Sequence, residues 1–340
     1  MITRPHDALF TSAFEPPAHT AALLRELLPA EIRDLIAWDT LRRDAGTFVD
    51  PTLADHHSDL VFSARLRIDD AAPIFALLEH QSTADPAMPL RTLSYQTRIW
   101  SRFRKDHPTA SLPPIVAVLI SHARGGWTTS RALDDLFAPD VLAIPSLAAL
   151  VPRAPLIIED LAHRSNEHLK ASALAAFPKL ALWLLRDARD PRRLLDSFDT
   201  WIDTFAAAQR APGGSDAIAA LLTYLFWVVD PMHHDELRAK LRQLDSHIEE
   251  NAMSIAEHLI EQGRMEGRME GLEQGREQGI EQGIEQGRID TLRHQVMIKF
   301  GSGSLDARYE ALLRSPSPEA VDLYLQRVLF ADSLAAVFED

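Results

Sequence analysis

An α/β core followed by a helical second half is the fold class this chain predicts, and three observations predict it. Short runs of strand length and strand period occupy Leu35 to Leu41, Asp59 to Arg67, Ile74 to Gln81 and Ile115 to Ile120. Helical spacing fills residues 6 to 28 before them and 89 to 105 between the last two, giving the order αβββαβ. From 165 to 245 helical patterns dominate, with breaks at Asp190-Pro191, Pro212-Gly213-Gly214 and Asp230-Pro231.

The elements justify themselves in turn. Asp59 to Arg67 alternates in character, Ile68 to Pro73 is turn-like, and Ile74 to Leu78 is an unbroken apolar run, so the second strand of this hairpin should be buried on both faces. An antiparallel hairpin centred near Asp69 sets position 59 opposite 79. Residues two apart share a face, so Asp59, Glu79 and Gln81 would converge. That parity needs an odd-length loop or a bulge, because a plain two-residue turn would oppose Asp59 to His80.

Pro89 to Lys105 carries Arg91, Arg98, Arg102, Arg104 and Lys105 and no acid. Tyr95, Trp100 and Phe103 recur there at helical spacing and are expected in the core. Such a helix could hold backbone phosphates through Arg91, Arg98, Arg102 and Lys105, or be an ordinary basic amphipathic helix. Gly125-Gly126-Trp127 after the last core strand reads as a tight turn with a packed aromatic. Pro139, Pro145, Pro152 and Pro155 then interrupt the chain.

At 340 residues with 46% hydrophobic content, two or three units are expected. The boundaries read as 1–150 for the α/β domain, 151–245 for a helical module, 246–289 for a repeat segment and 290–340 for a small helical tail. There is no cysteine, which excludes disulfides, thiolate metal sites and thiol catalysis. No signal peptide and no bilayer-spanning apolar run are visible, so a cytoplasmic protein with no membrane partner is expected. The net charge of −14 is concentrated between Asp245 and Asp290, where twelve acids meet four arginines. The overall acidity is therefore a weak argument against a nucleic-acid partner.

That acidic segment has glycine at 263, 267, 271, 275, 279, 283 and 287. Small residues four apart let two helix backbones approach, although each glycine costs a helix about 1 kcal/mol. The segment reads either as a long helix pairing with its copy in a homodimer or as a low-complexity disordered spacer.

Two carboxylates at the end of a buried sheet repel, and a shared divalent cation or a shared proton relieves them. Mg²⁺ suits them, since it takes oxygen ligands and often uses only one or two carboxylates beside substrate phosphate. The bland alternative is two solvated acids at strand ends. His56-His57 could add at most one ligand, because adjacent strand residues face opposite ways.

Asp59 in Ser-Asp-Leu-Val-Phe, Leu77-Leu78-Glu79-His80-Gln81-Ser82, Asp85, Met88-Pro89-Leu90-Arg91 and Tyr95 together resemble the PD-(D/E)XK family of transposase-like, recombination-promoting (Rpn) nucleases. His6-Asp7-Ala8-Leu9-Phe10 and Leu27-Leu28-Pro29 are similar to that family's opening, so the resemblance covers roughly the first 130 residues. It implies a restriction-endonuclease-like core in which Asp59 and Glu79 bind Mg²⁺, with Mn²⁺ as a possible substitute. The His80 backbone carbonyl would add a ligand, and Gln81 would take the usual lysine position. A neutral amide there can only hydrogen-bond, where lysine brings charge. Asp7 resembles an acid that related nucleases bring to the metal from the first helix; it reads equally well as a helix N-terminal dipole partner.

The function expected is therefore a Mg²⁺-dependent DNA endonuclease, with Asp59, Glu79, Gln81 and Asp7 at its site and DNA as partner. The alternative is a catalytically silent scaffold that keeps the nuclease fold and assembles through the glycine repeat.

Overall fold

Proline sets the first break. Residues 6 to 28, expected as one helix, form two in the computed structural model, α1 (Pro5–Phe14) and α2 (Pro17–Leu27). Neither Pro16 nor Pro17 can donate an N–H into a continuing helix, and Pro17 instead takes the first position of α2, where that donor is not needed. The structure describes residues 5–44, 60–244, 276, 283–301, 305–313 and 317–338.

A short α3 (Ala30–Arg33) leads into one five-stranded sheet in sequence order. Its strands are β1 (Ile36–Arg43), β2 (Leu60–Leu66), β3 (Asp69–Gln81), β4 (Ile115–Ser121) and β5 (Ile157–Asp160). The first three pair antiparallel, and β4 and β5 continue parallel to β3. Helix α4 (Met88–Asp106) supplies the crossover that the parallel β3–β4 pair requires.

The hairpin turns tightly, with Leu66 opposite Asp69, rather than over the whole of 68–73. The next pair is Arg65 with Pro73, so Asp70, Ala71 and Ala72 bulge out of β3. An odd insertion exchanges the faces of the strand. From there the ladder runs regularly to Leu60 opposite Leu78, the parity that the two acids need. Asp59 is next in sequence and, with His56 and His57, lies outside the described residues.

Both faces of β3 are covered, and every residue from Ile74 to His80 is buried. Ile74, Ala76 and Leu78 join Leu9, Phe10 and Phe14 of α1 in the main core. Phe75 and Leu77 lie on the other face with Val61, under Tyr95 and Ile99 of α4. Of the three aromatics of α4, Tyr95 is buried, while Phe103 and Trp100 are half-buried, Trp100 donating to the Pro113 carbonyl at 2.7 Å.

Beyond β4, Gly126 has φ +87°, a left-handed conformation that also brings its backbone against Asp160 and His163. Trp127 follows it into a cluster with Met88 and Leu119, as the tight-turn reading expects. Pro139 and Pro145 do not merely break the chain but begin the short helices α5 (Pro139–Leu142) and α6 (Pro145–Ala148).

The helices that follow are α7 (Asn166–Ala171), α8 (Ala176–Asp187), α9 (Pro191–Phe198), α10 (Ile202–Arg210), α11 (Gly214–Val228) and α12 (His234–Leu241). They are not a separate module. Strand β5 extends the sheet past residue 150, α8 and α11 pack on α1, and one core joins helices and sheet. Trp183 stacks on Trp201 at 5.0 Å between Phe198 and Phe205. Asp187, fully buried, is held by Arg186 Nη2 at 2.6 Å and Arg193 Nε at 2.8 Å. Among the described residues no single helix is long and apolar enough to cross a membrane.

The chain divides into two units, Met1–Leu259 and Ile260–Asp340. In the second, a helix over 283–300, α13, is joined by α14 (Ala307–Leu312), α15 (Pro318–Phe330) and α16 (Leu334–Phe338). Its core is Ile289, Leu292, Val296, Leu313, Val321, Val328, Val337 and Phe338. Gly301, at φ +104°, ends α13 by donating to the Met297 carbonyl at 3.0 Å. Of the seven repeat glycines only Gly283 and Gly287 fall among the described residues, both on α13.

Candidate active site

The end of β3 distributes its side chains by strand alternation. Glu79 and Gln81 fall on the α4 face and His80 on the α1 face. Backbone groups alternate too: Phe75 N donates to Pro114 O at 3.0 Å and Gln81 O accepts from His122 N at 2.9 Å, so odd positions face β4. The His80 carbonyl accordingly points to the β2 side, where the ladder with Leu60 ends.

Glu79 is 3% exposed. Its Oε1 accepts from Gln81 Nε2 at 2.6 Å and from Arg91 Nη2 at 2.9 Å, while its Oε2 is buried with no partner. Arg91 reaches there from the first turn of α4, and its Nη1 donates to Asp85 Oδ2 at 3.0 Å. Asp85 also accepts from the Ala87 N–H at 2.8 Å, which fixes the approach to α4. Burial pushes the Glu79 carboxyl above its ordinary range, against the opposing pull of Arg91, His80 and Gln81.

Across the sheet, His80 is 4% exposed and lies against the Phe10 ring at 4.7 Å and the His122 ring at 5.6 Å. Asp7 Oδ1 is 3.2 Å from His80 Nε2, so the structure sets Asp7 on the opposite face of β3 from Glu79. His6 beside it meets the Tyr224 hydroxyl of α11 at 2.8 Å. Burial, then the charges of Arg189 and His80, hold His6 down to about 4. Burial, then His80 and His6, hold His122 well below the usual histidine value. Arg189 closes this network by donating to the carbonyls of Ser82, at 3.2 Å, and His122.

The four basic residues expected to meet phosphate separate into two kinds. Arg91 is engaged with Glu79 and Asp85, and Arg98 is half-buried with one Nη1 unpartnered. Arg102 and Lys105 are exposed. Their spacing of seven, four and three residues keeps all four on one side of α4. That side runs toward a cleft of about 960 Å³ lined by Arg42, Arg65, Arg102 and His107, with Asp39, Asp44 and Asp106 among them.

Among the described residues no group of three or more histidine, aspartate or glutamate side chains is placed to hold a metal ion. The site thus brings together Glu79, Gln81 and Arg91, keeps the His80 carbonyl on the β2 side, and separates Asp7 from them. Sequence reasoning missed Asp85 and Arg91 as the partners of the acidic site. The sequence showed Arg91 only as a basic residue in the first turn of α4; the path of the loop between Gln81 and α4, which brings it to Glu79, carries no sequence signal.

A family model described as "Putative transposase, YhgA-like" matches residues 4–213. The chain is 27% identical over 256 residues to the recombination-promoting nuclease RpnD of Escherichia coli O157:H7, covering 75% of this chain and 94% of that protein. It is 29% identical over 203 residues to the recombination-promoting nuclease RpnC of Escherichia coli strain K12, covering 59% of this chain and 65% of that one. It is also 25% identical over 259 residues to the inactive recombination-promoting nuclease-like protein RpnE of strain K12, covering 76% and 82%. No solved structure matches. The family match takes in more than half of the 340 residues and all five strands of the sheet, and with the Rpn likenesses it establishes that the chain belongs to the YhgA-like transposase family of Rpn-type proteins.

Proposed function

We propose that this protein is a cytoplasmic, Mg²⁺-dependent DNA endonuclease of the recombination-promoting, transposase-like type, built on a restriction-endonuclease-like core. The observation that carries the reading is Glu79, a carboxylate 3% exposed at the end of the central strand with one oxygen unpartnered. A buried carboxylate oxygen without a partner calls for one, and a bound cation is a partner that suits it. The sequence pairs Asp59 with Glu79 across the hairpin, and the ladder observed up to Leu60 opposite Leu78 has the parity that this pairing needs. With the His80 carbonyl on the same side, the donors are all hard oxygens, the kind Mg²⁺ takes. Mn²⁺ would fit the same set.

When bound, the ion supplies positive charge to the phosphate oxygens as they gain charge in the transition state. The chain's own residues do the rest. Asp59 and Glu79 hold the ion, and Gln81 orients water or a phosphate oxygen through its amide. Asp7 acts on the site only through the His80 ring, whose backbone supplies the carbonyl. Arg98, Arg102 and Lys105 hold flanking phosphates without reading sequence.

Calorimetric titration of Mg²⁺, then Mn²⁺, into the purified protein tests the ligand set independently of activity. Saturable heat that disappears in Asp59→Ala is the expected result. No heat, or equal heat in the variant, favours the second reading, a catalytically silent scaffold assembling through its glycine repeat. That reading has its own support, since a relative 25% identical over 76% of this chain is named as inactive.

A further inference from the structure

We propose that Arg91 supplies to the scissile phosphate the positive charge that position 81 lacks, an inference that rests on the nuclease reading above. Gln81 can donate a hydrogen bond but carries no charge, so any side-chain cation beside the metal ion comes from another element. Arg91 is placed to be that cation. Its Nη2 and Gln81 Nε2 contact the same oxygen, Glu79 Oε1, at 2.9 and 2.6 Å. The guanidinium therefore stands beside the end of the Gln81 side chain.

Its aim is fixed from behind. Asp85 Oδ2 takes Nη1 at 3.0 Å, and Met88 Sδ lies 3.0 Å from Nη2. Its Nε is buried with no acceptor among the described residues. A phosphate is the anion a guanidinium suits, since the guanidinium presents N–H groups in pairs matched to phosphate oxygens. The side chain as a whole is 21% exposed, between the buried Glu79 and the exposed Arg102 and Lys105 along α4. Arg98, one residue stripe further along the same side, also has a buried N–H without an acceptor.

The competing role is structural, with Arg91 serving only to neutralise Glu79. Removing Glu79's charge separates the two. Binding of a labelled DNA duplex is measured by fluorescence anisotropy in EDTA over a range of salt, for wild type, Glu79→Gln, and Glu79→Gln with Arg91→Gln. The double variant leaves no charge unpaired at Glu79, so it is expected to fold, and circular dichroism checks this.

Glu79→Gln should bind at least as tightly as wild type, since it loses a negative charge and frees the arginine. Adding Arg91→Gln should weaken binding across all sequences and lower the slope of log affinity against log salt by about 1. In Mg²⁺, Gln81→Lys placed in the Arg91→Gln protein should restore part of the lost cleavage. Equal affinity and slope in Glu79→Gln and the double variant would overturn the role given to Arg91 and leave the nuclease reading standing. A wild-type protein that binds no duplex at any salt would overturn both.

Discussion

Glu79→Gln is expected to lower metal-dependent DNA cleavage by at least about a hundredfold, as loss of a transition-state-stabilising group does, while leaving the fold more stable. The second half of this result separates function from structure. Burial raises the Glu79 carboxyl above its ordinary value even though Arg91 is 2.9 Å away, so desolvation outweighs the ion pair. A carboxyl raised in the folded state binds its proton more tightly there than in the unfolded chain. Its contribution is therefore fully present below the unfolded value and is lost as pH rises through the folded one. At pH 7 the wild type carries that cost and Glu79→Gln does not. In EDTA the variant should gain on the order of 1 kcal/mol at pH 7, the scale of an unsatisfied buried group, and nothing at pH 4. Thermal melts at the two pH values check this. A variant less stable at pH 7 would mean that Glu79 and Arg91 are a structural pair.

Asp187→Ala should cost the first unit about 3–5 kcal/mol, the usual consequence of stranding a buried charge. Asp187 is fully buried, and its partner Arg186 is 3% exposed. Arg186 also donates to the Arg164 carbonyl at 2.6 Å and to Asn166 Oδ1, tying the end of α8 to the segment after β5. Without Asp187 its charge keeps these neutral acceptors but loses its counter-ion. For a unit of this size the melting temperature should fall by roughly 10 °C. Loss of only a degree or two would show that water reaches Arg186 in place of the carboxylate.

The hairpin was legible because its information is local. Alternation in Asp59 to Arg67, the apolar run from Ile74 and the parity of positions 59 and 79 lie within one supersecondary unit, and the bulge at Asp70 to Ala72 supplies the odd insertion that the parity demands. Helix α4 and strand β4 were legible for the same reason, a clear change of period from 3.6 to 2. What the sequence hides is what comes together from far apart. His6 and Tyr224 are 218 positions apart, and no periodicity announces their 2.8 Å contact. The sharing of one core by α1, α8 and α11 is equally silent, because an apolar helix face reads the same whether it covers a sheet or another helix. Strand β5 is only four residues long, too short to show alternation. Arg91 was legible as a basic residue on a basic helix. Its engagement with Glu79 and Asp85 depends on the loop 82–87, whose path the pattern does not encode. Asp59, on which the site reading depends, lies outside the described residues.

The nicking of supercoiled plasmid by purified protein in Mg²⁺, then Mn²⁺, with Asp59→Ala prepared in parallel, tests the central claim most directly. Cleavage that requires the ion and vanishes in Asp59→Ala is the result this account predicts. No cleavage by the wild type, or equal cleavage by the variant, would contradict it.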